Sequence, residues 1–129
     1  MLHRLIYASE AIGATGATTL SIAQILGVSE RNNRRDHLTS CIMFHDGHIL
    51  QAIEGARVDI DRLIRRLLDD PRHSGVRILS DEPIKARRFN EPITLCGDPA
   101  ALLDRVGVDS LSRVTANEIE ALLEFRDAA

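Results

Sequence analysis

The stretch Leu38-Thr39-Ser40-Cys41-Ile42-Met43-Phe44-His45-Asp46-Gly47-His48-Ile49-Leu50-Gln51-Ala52-Ile53 decides the fold. Two apolar runs flank an Asp-Gly pair, the dipeptide that most readily takes positive φ in a tight turn, so the segment predicts a β-hairpin. On its N-terminal side, Ile22, Ile25, Leu26 and Ser29 recur at helical spacing, and the stripe extends to Asn32 and Asn33. Arg31, Arg34 and Arg35 lean toward solvent. Further back, Leu2 to Ser9 alternates as a strand, and a Gly/Ala/Thr loop (residues 11–19) follows it. On the C-terminal side, Glu54-Gly55 ends the hairpin, and Ile60, Leu63, Ile64, Leu67 and Leu68 mark a second amphipathic helix. Asp69 to Gly75 stops that helix, Val76 to Leu79 reads as a fourth strand, and Arg88 to Leu95 as a fifth. Pro92 demotes the fifth to an edge or an irregular segment. A hairpin between two helices, with one strand before and others after, is the split-βαβ arrangement. The expected fold is therefore α+β, ferredoxin-like βαββαββ, with two helices on one face of one sheet.

The chain has 129 residues, enough for one compact domain that buries roughly two-thirds of its surface without a metal or disulfide staple. Hydrophobic residues at 44% and charged residues at 27% match an ordinary globule. Aromatic residues reach only 3% and the net charge is −3, which is thin for base stacking and argues against a phosphate-tracking surface, so nucleic acid is not expected as a partner. No apolar run approaches a membrane span, and the N-terminus has no signal-peptide pattern, so a cytoplasmic protein without membrane association is expected. Cys41 and Cys96 lack metal or redox spacing and read as core or near-core thiols. Residues 98–129 hold seven acids against three Arg, a local −4, which leaves +1 over residues 1–97. This shift divides the chain into a sheet domain (1–97) and a C-terminal helical extension (98–129), with helices expected over Asp98–Val106 and Thr115–Arg126. The tail's apolar residues need cover, either the open sheet face or a second subunit.

Strand alternation places Tyr7 with Leu5 on one face, and Gln51 with Ile49 and Ile53 on an inward one. A buried amide left unpaired costs about 1–3 kcal/mol, and Tyr7 is positioned to satisfy part of Gln51. Two readings stand at this point: a register-fixing Tyr–Gln pair, or part of a ligand-facing layer. Asn32 and Asn33 add two amides from the helix above, a set suited to a ring edge with both donors and acceptors. Paired carboxylates and Ser-His-Asp or Cys-His patterns do not accompany them, so no enzyme activity is expected. The five His do not cluster at metal spacing, and no metal site is expected. Arg62 and Arg65 read as a solvated helix face. Arg72 and His73, just past the helix stop, carry two readings, a continued solvated face or a contact to a phosphate or a ribityl chain.

Taken together, Arg4-Leu5-Ile6-Tyr7-Ala8-Ser9, Ile25-Leu26, Ser29 to Asn33, Leu38-Thr39, Asp46 to Gly55, Asp70-Pro71-Arg72-His73 and Arg88-Phe89 resemble the BLUF domain over about residues 1–95. The resemblance implies a blue-light sensor that binds FAD non-covalently between the two helices. It implies that Tyr7 and Gln51 are the photochemical pair and that Asn33, with Asn32 beside it, meets the ring's carbonyl side. Ile25 and Leu67 would sandwich the ring, and Arg66, Arg72 and His73 would line the ring and its ribityl–phosphate arm. It further implies light-driven electron transfer from Tyr7 with a proton following, after which Gln51 rotates or tautomerises and the absorption shifts to the red. With no Trp and one Tyr in the chain, Tyr7 is the one conventional aromatic electron donor. The chain departs from the family pattern at Ser40 (usually Gly), at Ile49 (usually aromatic), and at Pro92 and Thr94, where the family carries Trp and Met. A sensor of this kind without an output domain would act through a downstream signalling protein or a homo-oligomer. The alternative is a BLUF-fold interaction module that has lost flavin binding or photoactivity.

Overall fold

A computed structural model describes residues 1–11, 19–69, 73–95, 98–108, 111–115, 117–119 and 121. The elements run β1 (Leu2–Ala11), α1 (Thr19–Arg35), β2 (Thr39–His45), β3 (His48–Ala56), α2 (Arg57–Asp69), β4 (His73–Ile84), β5 (Thr94–Leu95) and α3 (Pro99–Val106), then a 3₁₀ turn over Leu111–Arg113. The strands form one five-stranded sheet in the order β4-β1-β3-β2-β5. All neighbours are antiparallel except the β2–β5 pair, which is parallel. This is the expected mixed α+β sheet.

The hairpin turn is two residues long, with Asp46 and Gly47 at φ 49° and 76°, the positive-φ pair that matches the twist of the flanking strands. That turn fixes the β2–β3 register at His45↔His48 and carries it to Thr39↔Glu54. β4 is much longer than the four residues expected, because irregularities between Ile6 and Tyr7 and between Ala8 and Glu10 let it follow β1 to Ile84. β5 is much shorter than expected. Pro92 has no N–H to give a ladder, and the Arg88 and Phe89 amides donate instead to the Glu54 carboxylate, at 2.7 and 3.0 Å. The segment before β5 is therefore an irregular strap across the sheet end.

Alternation sorts the core into layers. Leu5, Tyr7 and Ile53 pack with Leu38 and with Ile60 and Leu67 of α2 on one face. On the other face, Ile6, Ala8, Cys41, Met43, Leu50 and Ala52 pack against Leu102, Leu103, Val108, Leu111, Val114 and Ile119. The tail thus covers the sheet face left open by α1 and α2. Local signals set its elements. Asp98 caps α3 by accepting from the Ala101 N–H at 3.2 Å, with Pro99 in the first turn and Gly107 in the left-handed conformation at its end. Thr115 and Glu118 exchange bonds as a capping box, the Thr115 N–H donating to Glu118 Oε1 at 2.9 Å, and residues 117–119 are helical.

On the tail-covered face a buried ion pair joins β1 to β3. Arg4 Nε and Nη2 donate to Glu54 Oε2 at 2.8 and 2.7 Å, and Glu54 is fully buried. Its second oxygen accepts the Arg88 and Phe89 amides, so one carboxylate satisfies four donors, two from Arg4 on β1 and two from the strap. Removing one member of such a pair leaves a buried charge uncompensated. Glu54→Ala is therefore expected to destabilise the fold by about 3–5 kcal/mol, read as a lowered urea midpoint.

Candidate functional site

The helix-facing side of β1, β2 and β3 carries a short line of polar groups between two apolar clusters. Tyr7 and Gln51 are cross-strand partners, and the Tyr7 hydroxyl donates to Gln51 Oε1 at 2.5 Å. Gln51 Nε2 donates to Ser40 Oγ at 3.1 Å, and Ser40 Oγ donates to the Pro92 carbonyl at 2.8 Å. From the last turn of α1, Asn33 Nδ2 donates to Pro92 O at 2.8 Å and to Ser40 Oγ at 3.3 Å. Tyr7, Asn33, Ser40 and Gln51 are all buried. Ile42 and Ile49, with Phe44, Leu26 and Ile93 against them, flank this line on the β2 side, and Leu5, Ile53, Ile60 and Leu67 flank it on the α2 side.

Counting donors and acceptors shows what the network leaves open. Asn33 Nδ2 is engaged with Ser40 Oγ and Pro92 O, whereas its buried Oδ1 has no partner. Gln51 Nε2 uses one of its two N–H groups. A buried acceptor and a buried donor on neighbouring neutral amides, walled by aliphatic side chains, suit the edge of a neutral heteroaromatic ring that carries both an N–H and a ring or carbonyl acceptor.

Beyond this line, Asp36 closes α1 over α2. It is buried and takes bonds from Arg35 Nε at 3.1 Å and Arg66 Nη1 at 3.2 Å, with Arg62 Nη1 at 3.3 Å. The Arg35 hydrogen bond, with Arg66 adding to it, holds the Asp36 carboxyl below its ordinary value although burial opposes this. Arg66 Nη2 is buried and without a partner. Three guanidinium groups meet Asp36 here, one of them, Arg62, shared with Asp59 at 3.0 Å, so this corner of the α1–α2 cleft keeps one positive charge more than its carboxylates balance.

The structure brings Tyr7, Gln51 and Asn33 together and sets Leu67 in the same cluster as Tyr7. Arg66 lies on α2 at the Asp36 corner. Asn32 is half-buried and outside the hydrogen-bonded line, its carbonyl accepting the Asp36 N–H at 3.0 Å. The side chains of Ile25 and His73, and all of Arg72 and Cys96, lie outside the described residues. Arg65 is exposed as expected, while Arg62, also exposed, reaches Asp36 and Asp59. Sequence reasoning missed Ser40, the Pro92 carbonyl and Asp36. For Ser40 the signal was present, because it shares the inward alternation of Ile42 and Phe44.

An α+β sheet that carries a buried, uncharged hydrogen-bonding edge on its helix-covered face has the chemistry to hold a planar ring. The family model for BLUF, sensors of blue-light using FAD, matches residues 2–92. The chain belongs to this family of flavin-based blue-light photoreceptors. Among its relatives, the Escherichia coli blue light- and temperature-regulated antirepressor BluF is 28% identical over 91 residues, covering 70% of this chain and 22% of that protein. A Euglena gracilis photoactivated adenylate cyclase subunit beta-like protein is 30% identical over 86 residues, which is 67% of this chain and 10% of that protein. The chain thus spans only a minor part of these relatives. Among solved structures, the dark state of the BLUF protein BlrB superposes with a TM-score of 0.81 at 28% identity, over 98% of this chain and 96% of that one. The ground state of BlsA shares the fold at a TM-score of 0.85 and 18% identity, over 96% and 86% of the two chains.

The residues fit a flavin. The unpartnered Asn33 Oδ1 suits an imide N–H, and the spare Gln51 N–H suits a ring nitrogen or carbonyl. No helix among the described residues is long and apolar enough to cross a membrane.

The lowered Asp36 carboxyl carries a pH signature. Its stabilisation is complete above the unfolded carboxylate value, about 3.9, and is lost as pH falls through the lower folded value. Asp36→Asn is therefore expected to lower the urea midpoint at pH 7. The gap between variant and parent should narrow as pH falls below about 4.

Proposed function

We propose that the chain is a blue-light photoreceptor that binds FAD non-covalently and signals by rearranging the Tyr7–Gln51 hydrogen bond. The carrying observation is the buried 2.5 Å bond from the Tyr7 hydroxyl to Gln51 Oε1 beside the unpartnered Asn33 Oδ1. On this reading Gln51, Asn33 and Asn32 meet the ring's polar edge, Ile25 and Leu67 flank its faces, and Arg66, Arg72 and His73 meet the ring and its ribityl–phosphate arm. The surplus of guanidinium groups around Asp36 suits that anionic arm. When bound, the flavin supplies blue-light absorption and an electron-accepting ring.

The chain's own residues supply the rest. Tyr7 is the aromatic donor and holds its proton against Gln51. Gln51 is a neutral amide with donors at one end and an acceptor at the other. Reversing or tautomerising it changes the hydrogen bonds it offers without creating a net charge in a buried layer, where a charge would be costly. Leu5, Ile53 and Ile60 keep water from the pair.

The sensing unit is residues 1–97, and the extension 98–129 carries the signal onward by association with a downstream protein or a second copy, without catalysis of its own. Relatives of the chain are linked to effectors, an adenylate cyclase in one case and an antirepressor in another. The short β5, Thr94–Leu95 among the described residues, favours one alternative, a BLUF-fold interaction module that has lost flavin binding or photoactivity.

The test is spectroscopic. Purified protein should be yellow, release FAD on denaturation, and show a small reversible red shift under blue light. Tyr7→Phe and Gln51→Ala should each abolish the shifted state while retaining bound flavin. A colourless preparation that stays apo with added FAD, or a normal light response in either variant, overturns the reading.

A further inference from the structure

Ser40 lies at the centre of the buried network. Its hydroxyl oxygen receives Gln51 Nε2 at 3.1 Å and Asn33 Nδ2 at 3.3 Å, and its single proton goes to Pro92 O at 2.8 Å. Its backbone N–H donates to Glu91 O at 3.1 Å. Residues Glu91 and Pro92 lead directly into β5, which pairs with β2 through Cys41↔Thr94 and Ile42↔Leu95. Ser40 is thus attached at once to the amide of Gln51 and to the chain entering the last strand.

We propose that Ser40 is a positioning residue that passes the orientation of the Gln51 amide to the Pro92 carbonyl. A hydroxyl has one proton and gives it to one acceptor at a time. In the observed arrangement Gln51 presents an N–H to Ser40, so the hydroxyl proton serves Pro92. When the amide reverses, Oε1 takes the place of Nε2. Two oxygens then face each other in a buried layer, and only donation by Ser40 relieves them. Asn33 does not supply that proton in this arrangement, because its Nδ2 is bonded to Ser40 Oγ and Pro92 O and its Oδ1 is an acceptor. The Ser40 proton turns to Gln51, and Pro92 O keeps one bond, from Asn33. No covalent bond or charge changes.

The two-state element is the direction of one O–H group, which is what makes the coupling physical rather than a matter of proximity. The Ser40 N–H to Glu91 O bond holds the backbone meanwhile, so the change falls on one carbonyl without detaching the strap. The relay rests on the Gln51 rearrangement proposed above, and its test separates the two.

Flavin-loaded protein carrying ¹³C-carbonyl proline is examined by light-minus-dark infrared difference spectroscopy, with the visible red shift recorded on the same sample. The wild type should show a proline carbonyl band that moves to higher frequency on illumination, as expected for loss of one of two bonds. Pro92→Ala should abolish that band, which assigns it. Ser40→Ala and Ser40→Gly should keep the red shift and lose the band, while Ser40→Thr, which keeps the hydroxyl, should retain both. A wild-type red shift without any proline carbonyl change overturns the relay and leaves the photoreceptor reading intact. A band that persists in Ser40→Ala, or that vanishes in Ser40→Thr while the red shift remains, also overturns it. A wild type with no red shift overturns the photoreceptor reading and the relay together.

Discussion

Both faces of the β1–β3 ladder are covered, one by α1 and α2 and the other by the C-terminal segments. A polar side chain in the middle of either strand is therefore cut off from bulk water and must be satisfied inside the protein. That constraint produces two buried polar systems back to back. On the tail-covered face, Arg4 and Glu54 form a charged pair whose carboxylate also captures the strap. On the helix-covered face, Tyr7, Gln51, Ser40 and Asn33 form a neutral network. The division is chemically apt. The charged system is saturated and fixes geometry, whereas the neutral one keeps a spare donor and an unpartnered acceptor.

The two systems are also mechanically linked. Glu54 grips residues 88 and 89, and Ser40 grips residues 91 and 92. Arg87 adds bonds to the Thr39 hydroxyl and to the carbonyls of His37 and Glu54. The strap is thereby referenced to the end of α1, the start of β2 and the end of β3, the same three places that set Asn33, Ser40 and Gln51. A ligand that reorders those amides bears on a segment already held in register with them.

Much of this was legible in the sequence, and the unread parts have specific causes. The Asp46-Gly47 turn and the two flanking helices declare the split-βαβ order, because turn chemistry and hydrophobic period act locally. Gln51 stood out because a large amide between Ile49 and Ile53 breaks an apolar alternation. Ser40 occupies an equivalent inward position but is small, and a serine near a strand end reads equally well as a turn. Glu54 looked like the end of the hairpin, since a carboxylate beside glycine ordinarily marks solvent. Only the cross-strand position of Arg4, fifty residues away, makes it a core residue. The extent of β5 and the docking of the tail depend on tertiary partners that no local pattern encodes. The cover for the tail's apolar residues is of that kind: Leu102, Leu103 and Ile119 pack on the sheet, with Val108, Leu111 and Val114, while Leu122, Leu123 and Phe125 lie outside the described residues.

Among the described residues, β5 joins the sheet through Thr94 and Leu95 alone, in a parallel pairing at the outer edge of β2. Parallel pairing is slightly the weaker kind per residue, and two residues give almost no cooperativity. Opening of this edge therefore falls at the low end of the molecule's range of sub-global unfolding energies, far below that of the β1–β3 ladder. Amide hydrogens around Thr94 and Leu95 would exchange with solvent long before those of Tyr7 or Ile53. An edge strand so lightly fastened makes a seam where the sheet ends softly, and its occupancy can be biased by a change no larger than one hydrogen bond.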